Sequence, residues 1–260
     1  MNGLLIYNKA DYKKNSDYVK WIQDMAAQFG MKIELVFSDD FYQHGYEKYD
    51  QIQFAINRTR DYHLSLILEL NHVRVFNQST ITLLGNNKLA AYRHAKEQNI
   101  KYPPVRLDWT NQDQIISKPV DGHGGEGVQR LSELKVSDFK NRIQQTLLTN
   151  LMGDIRFYVI NNQIIQAIIR KNDGGLLFNY SQNNTCEIFE YTHEHHQLVH
   201  QFLHGLKADY VGVDFFLTDE GELIFNELED VVGSRMLSDL GINNTTELFL
   251  THIMNQLKGA

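Results

Sequence analysis

Apolar positions along the chain alternate between two periods. LLIY (4–7) is a short continuous apolar run, as a buried strand requires, and SDYVKWIQDMAAQFG (16–30) spaces Val19, Ile22, Met25, Ala26 and Phe29 at helical intervals between an N-cap serine and a terminal glycine. MKIELVF (31–37) follows as a second strand. A β-α-β opening of this kind predicts a parallel sheet with helical crossovers. QIQFAIN (51–57) and VRVFN (73–77) supply two more strands around a helix in YHLSLILELN, which makes residues 1–77 a small α/β unit. LLGNNKLAAYRHAKEQNI (83–100) reads as a helix that KYPPV ends, because a proline pair cannot continue it. A second unit, 78–150, carries a strand at 115–120 and a returning strand in VQRLSEL. A third, 151–260, opens with two strands over 154–171 joined at Asn161-Asn162, continues through a helix near 193–207, and closes with an acidic hairpin at 211–229. The class expected is mixed α/β (α+β).

Composition narrows the possibilities. A chain of 260 residues, 42% hydrophobic, can bury a substantial core. A formal charge of −7 without a basic run argues against binding to nucleic-acid phosphates. The apolar run at the N-terminus is too short for a signal peptide and no stretch approaches a membrane span, so a cytoplasmic protein is expected. The lone Cys186 rules out an intramolecular disulfide framework and suits a reducing compartment.

Two segments carry candidate chemistry. ISKPVDGHGGEGVQR (116–130) puts Gly122, Gly124, Gly125 and Gly127 into one loop after Lys118. Bare backbone of this kind lets N–H groups approach a phosphate closely. The literal GxGxxG needs a following helix to mark a dinucleotide site, and here a strand follows, so the segment reads as a glycine-tipped flap or as a flexible surface hairpin. In VGVDFFLTDEGELIFNELEDVVGSRML, Glu227 and Glu229 share one face of a strand. With a two-residue turn at Glu220-Gly221, Asp214 falls opposite Glu227 and three carboxylates converge, which calls for a hard cation such as Mg²⁺ or Mn²⁺. A three-residue turn with Gly221 as a bulge would shift the register by one and put Asp214 on the other face. A solvated acidic hairpin is the plain alternative. A further pattern, His196, His200 and His204 at intervals of four, lacks the glutamate of a metalloprotease motif and fits a solvated helix face.

A lysine beside a glycine flap, followed about a hundred residues later by an acidic hairpin, resembles the ATP-grasp superfamily, of the carboxylate-amine ligase type similar to glutathione synthetase and ribosomal-protein glutamate ligases. FNQSTITLLGNNKLAAYRHAKEQNIKYPPV, SKPVDGHGGEGV, GDIRFYVI and GVDFFLTDEGELIFNELE carry the likeness across nearly the whole chain. It departs where Gln78 splits Asn77 from Ser79, where Asn87-Lys88 replaces Asp-Lys, and where Glu229 takes the place usually held by asparagine. The resemblance implies an N-terminal unit, a lid subdomain and a C-terminal antiparallel-sheet subdomain that clasp ATP. It assigns Lys88 and Lys118 to ATP phosphates and Gly124, Gly125 and Gly127 to the flap. The adenine hinge falls in IQQTLLTNL, around Gln145, Thr146 and Leu148. Asp214, Glu227 and Glu229 become ligands of magnesium, two ions being expected. Arg156, Arg170 and Arg235 become grips for the phosphoryl group or the substrate carboxylate, and Asn179 an active-site asparagine. Arg58 and Arg60 in the N-terminal unit are weaker candidates to reach substrate, and no role is assigned to them. The reaction implied is ligation of a small-molecule or peptide carboxylate to an amine (or thiol) through an acylphosphate. A small-molecule kinase or a nucleotide-sensing module is the alternative, and a homodimer is left open.

Overall fold

The alternation of strand and helix in the first third of the chain produces a layered N-terminal unit. The computed structural model describes residues 1–106, 112–135, 139–171 and 185–259. β1 (Asn2–Tyr7), β2 (Lys32–Phe37), β3 (Phe54–Asn57) and β4 (Arg74–Phe76) form a parallel sheet in the order β2-β1-β3-β4. Leu5 and Tyr7 face α1 (Lys9–Gln28), which contributes Val19, Ile22 and Ala26, while Leu4 and Ile6 pack with Phe41 of α2 (Ser38–His44) and with Leu64 and Leu68 of α3 (Tyr62–Leu70). Both faces of β1 are therefore covered, which is why LLIY is uniformly apolar. α1 starts seven residues before the expected Ser16. Asn8 caps it by accepting from the Asp11 amide at 2.7 Å, and a non-helical Asn15 (φ −129°, ψ 18°) breaks it just before the serine.

The helix expected over 83–100 is two helices, α4 (Ser79–Gly85) and α5 (Lys88–Glu97), because the Asn87 side chain accepts from the Ala90 amide and caps the second. β5 (Ile115–Pro119) pairs antiparallel with both β6 (Gln129–Arg130) and β7 (Arg142–Thr146), so the glycine loop does sit at the tip of a hairpin. The return strand is only two residues long, and a 3₁₀ turn takes up Leu131–Glu133.

The third unit is an antiparallel sheet in the order β10-β9-β8-β11-β12. It comprises β8 (Leu151–Ile160), β9 (Gln163–Lys171), β10 (Thr185–Ile188), β11 (Tyr210–Thr218) and β12 (Leu223–Glu229). Asn161 and Asn162, at φ 52° and 57°, make the tight β8-β9 turn. One face carries Ile155, Phe157, Val159, Phe215 and Phe225 against α5 and against α6 (His193–Phe202). The other face is apolar at one end, where Tyr158, Ile160, Ile168 and Tyr210 meet the N-terminal unit and α8 (Thr245–Lys258) beyond the short α7 (Arg235–Asp239). At its opposite end that face turns polar.

The hairpin at 218–222 corrects the expected turn. Thr218 pairs across to Glu222 and Gly221 is left-handed (φ 81°), so the loop has three residues, not two. Leu217, Phe216 and Phe215 then pair with Leu223, Ile224 and Phe225, and that register alone would place Asn226 opposite Asp214. A bulge between the Asp214 and Phe215 pairings absorbs Asn226, and Asp214 pairs with Glu227 after all. The bulge also reverses the facing of β12. Leu223 and Phe225 point into the core, whereas Glu227 and Glu229, in the same odd-numbered series, lie on the polar face.

Asn77, just past β4, ties the first unit to the third. Its amide donates to the carbonyls of Tyr210 (2.7 Å) and Asp230 (3.0 Å) and accepts from the amides of Asp209 and Tyr210, both at 2.9 Å. No helix among the described residues is long and apolar enough to cross a membrane.

Candidate active site

The polar end of the third sheet is built from cross-strand neighbours. β8 and β11 place Arg156 directly opposite Asp214, and β8 and β9 place Asp154 opposite Arg170. Arg156 grips Asp214 with both arms of a fork, Nε to Oδ1 at 2.8 Å and Nη2 to Oδ2 at 2.7 Å. Arg170 Nη2 bridges Asp214 Oδ2 and Asp154 Oδ2, each at 2.6 Å. Asp214 is wholly buried. Burial alone would raise its pKa, but the two guanidiniums outweigh that and hold it below the usual carboxylate range. Asp154 goes the other way: burial raises it despite Arg170. Glu229 pairs with the Nη1 arm of Arg156 and is also raised, by burial foremost. Glu227 makes no side-chain hydrogen bond or ion pair among the described residues. Asp214, Glu227 and Glu229 thus share a face as expected, with Asp214 lying beneath the other two and its charge answered by arginines. Among the described residues no group of three or more His, Cys, Asp or Glu side chains is arranged to hold a metal ion. Glu227 and Glu229, both half-buried and lining the same cavity, are the oxygen donors that fit a hard divalent cation.

Lys118 rises from β5 and is buried, with its ammonium 5.7 Å from the centre of the Phe216 ring. Burial pulls its pKa down to about 8, with Glu227 opposing and Lys88 adding to the shift. Lys88, the first residue of α5, donates to the Gly122 carbonyl and so touches the base of the flap. Gly124, Gly125 and Gly127 are all left-handed, at φ 60°, 75° and 68°, a conformation that other residues adopt only with strain. Arg142, which the sequence did not mark, braces the flap from β7. It donates to Ser117 Oγ at 2.8 Å, to the Ser117 carbonyl at 3.1 Å and to the Gly127 carbonyl at 2.5 Å.

In the expected hinge, Gln145 is buried and accepts from the Tyr92 hydroxyl at 3.0 Å. The Thr146 amide is taken by the Pro104 carbonyl and the Leu147 amide by that of Gln114. Thr146 and Leu148 are half-buried.

A cavity of about 700 Å³ opens between the sheet face and the N-terminal unit. Arg156, Arg170, Glu227 and Glu229 form its floor, Gly124 of the flap overhangs it, and Tyr18, Trp21 and Arg58 wall the far side. Arg235 stands exposed at its margin at the start of α7. Asn179 lies outside the described residues. Phe216, Tyr18 and Trp21 escaped notice in the sequence because an aromatic residue at a regular spacing reads as core. His196 and His200 lie with ring centres 4.2 Å apart on α6, but the helix ends at Phe202, so His204 does not continue the row.

Residues 126–251 match the family model described as the RimK-like ATP-grasp domain. The MG011 homolog of Mycoplasma pneumoniae is 26% identical over 98% of this chain and 95% of its own. The tetrahydromethanopterin:alpha-L-glutamate ligase of Methanocaldococcus jannaschii is 27% identical over 63% of this chain and 61% of its own. Among solved structures, the D-alanine–D-alanine ligase from Bacillus anthracis complexed with ATP superposes with a TM-score of 0.74 at 14% identity, covering 99% of this chain and 98% of that one. D-cycloserine synthetase DcsG gives the same TM-score at 12% identity, covering 98% and 99%.

Proposed function

We propose that this chain, whose residues 126–251 match the RimK-like ATP-grasp domain, is an ATP-dependent ligase that joins a carboxylate to an amine through an acylphosphate. The observation that carries the reading is the cavity itself, where Gly124 of the flap overhangs the half-buried Glu227 and Glu229 and a floor of arginines, with the buried Lys118 acting on Glu227 from the flap strand. Lys118 and Lys88 are suited to the ATP phosphates, and the bare backbone at Gly124, Gly125 and Gly127 to closing over them. Glu227 and Glu229 would hold magnesium or manganese. The ion would supply charge neutralisation at the phosphates. Arg156 and Arg170 fix Asp214 and keep the floor of the site polar and rigid. Arg235, exposed at the margin, is the arginine placed to meet an incoming acid. The relative named as a glutamate ligase supports the amide-forming class. ATP and small-molecule acids and amines as partners suit a cytoplasmic setting.

In this chemistry the substrate carboxylate attacks the terminal phosphorus and ADP departs. The amine then adds to the activated carbonyl, loses a proton and expels phosphate. No side-chain nucleophile is needed. The test is ADP release with pools of acids and amines in the presence of Mg²⁺, followed by hydroxylamine trapping with the acid alone. ADP, phosphate and a hydroxamate are expected. AMP with pyrophosphate would overturn the mechanism, and ADP with a hydroxylamine-stable phosphorylated product would move the reaction to a small-molecule kinase.

A further inference from the structure

The far wall of the cavity holds a cation for which the ligation reading has no task. Arg58 lies just past β3, is 8% exposed and lines the cavity. Its Nη2 donates to the main-chain carbonyls of Val232 at 3.2 Å and Val231 at 3.4 Å, and its guanidinium sits 5.4 Å from the centre of the Tyr18 ring. Among the described residues its Nε meets no acceptor in hydrogen-bond geometry, and the buried hydroxyls of Tyr7 and Tyr210 stand close by, Tyr7 against the guanidinium. The groups that hold it, main-chain carbonyls and tyrosines, are neutral.

Other arginines near the cavity are matched, and Arg235 stands exposed to solvent at its margin. Arg156 and Arg170 share Asp214, Arg60 pairs with Asp11 at 2.5 Å, and Arg74 pairs with Asp209 at 2.5 Å. Among the described residues no carboxylate lies within ion-pair distance of Arg58. Asp230, the buried acid on that side, acts on Arg58 only from beyond that distance and is bonded to the Asn86 amide at 2.9 Å. A buried guanidinium with no counter-charge in contact is costly, and a fold that keeps one at a cavity wall has left room for an anion. The planar fork suits a carboxylate. The phosphates have their own cations, Lys118 and Lys88, on the flap side.

We infer that Arg58 anchors a spectator carboxylate of the substrate, so that the molecule seated against the N-terminal wall is an amino acid or a dicarboxylic acid and not a simple monocarboxylate. The inference rests on the ligase reading and names the substrate class of that same site. Tyr18 fixes the guanidinium from one side, and the carbonyls of Val231 and Val232 tie it to the segment that leads into Arg235. The anchor is thereby set between the first and third units.

The test is a binding cycle by calorimetry, run on protein first shown to bind ATP with Mg²⁺. Succinate, glutarate and L-glutamate are compared with their monoamides, on the wild type and on Arg58→Gln. A diacid is expected to bind about tenfold or more tightly than its monoamide, the scale of one charge-assisted contact, and that gap should close in Arg58→Gln and partly return in Arg58→Lys. Equal binding of diacid and monoamide by the wild type would overturn the inference without needing any variant to fold. A gap that survives in Arg58→Gln would also overturn it, as would failure of all three acids to bind a protein that binds ATP. Failure to bind ATP at all would instead remove the ligase reading.

Discussion

Lys118 shows how burial gives one residue a working range. With burial holding its pKa at about 8 instead of 10.5, the free protein loses this cation as pH rises from 7 to 9. ATP affinity should fall over that interval in the wild type and stay flat in Lys118→Met, as nucleotide titrations at several pH values would show. At neutral pH, Lys118→Ala should weaken ATP binding by about 1.5–3 kcal/mol. Arg156 makes the complementary case. Arg156→Met leaves the buried Asp214 carboxylate with Arg170 alone and Glu229 with no cation, and should lower stability by about 3–5 kcal/mol in urea unfolding. Adding Asp214→Asn should recover part of the loss. The sequence made Lys118, Asp214, Glu227 and Glu229 legible because charged residues on strands that otherwise read as buried are conspicuous. It did not reveal that Asp214 belongs to Arg156 and Arg170. Those contacts depend on pairing strands 58 and 44 residues apart, which no local pattern encodes.

At the scale of elements, the flap hairpin and the two-strand turn at Asn161-Asn162 follow from local chemistry, since glycine and asparagine mark positions where φ is positive. Gly127→Ala is expected to lower stability by about 1–2 kcal/mol from the left-handed backbone alone. Its new Cβ would also meet Pro119 at 3.0 Å, so closure over ATP should suffer in step, measured as thermal unfolding and nucleotide affinity on the same preparations. Limited proteolysis should cut within 122–127 in the free protein and be suppressed by ATP. Element boundaries were less legible. α1 begins at an asparagine cap ahead of its apolar stripe, the helix expected over 83–100 is divided by the Asn87 cap, and β7 has too few apolar residues to stand out. The acidic hairpin is the sharpest case: its turn has one residue more than expected, and a bulge elsewhere on the strand makes up the difference.

For the whole molecule, the relation between the N-terminal unit and the third sheet rests on few polar contacts, with Asn77 foremost. Asn77→Ala strips partners from four main-chain groups and should cost about 2–4 kcal/mol, read as a lowered urea midpoint. If the two units are coupled through this residue, the variant should also weaken binding of substrate to a cavity whose walls they share. That coupling was invisible in the sequence, where Asn77 stood out only through a family likeness. The bulge at Asn226 has a different reach, over which changes of length the chain survives. Because it already holds one residue in excess of the ladder, deleting Asn226 leaves Phe225 facing inward and Glu227 and Glu229 facing the cavity on an unbroken strand. Deleting Ile224 puts Leu223 and Phe225 on opposite faces and breaks the core. Two deletions of equal size, two residues apart, should therefore give one folded protein that keeps its carboxylates in place and one that does not fold.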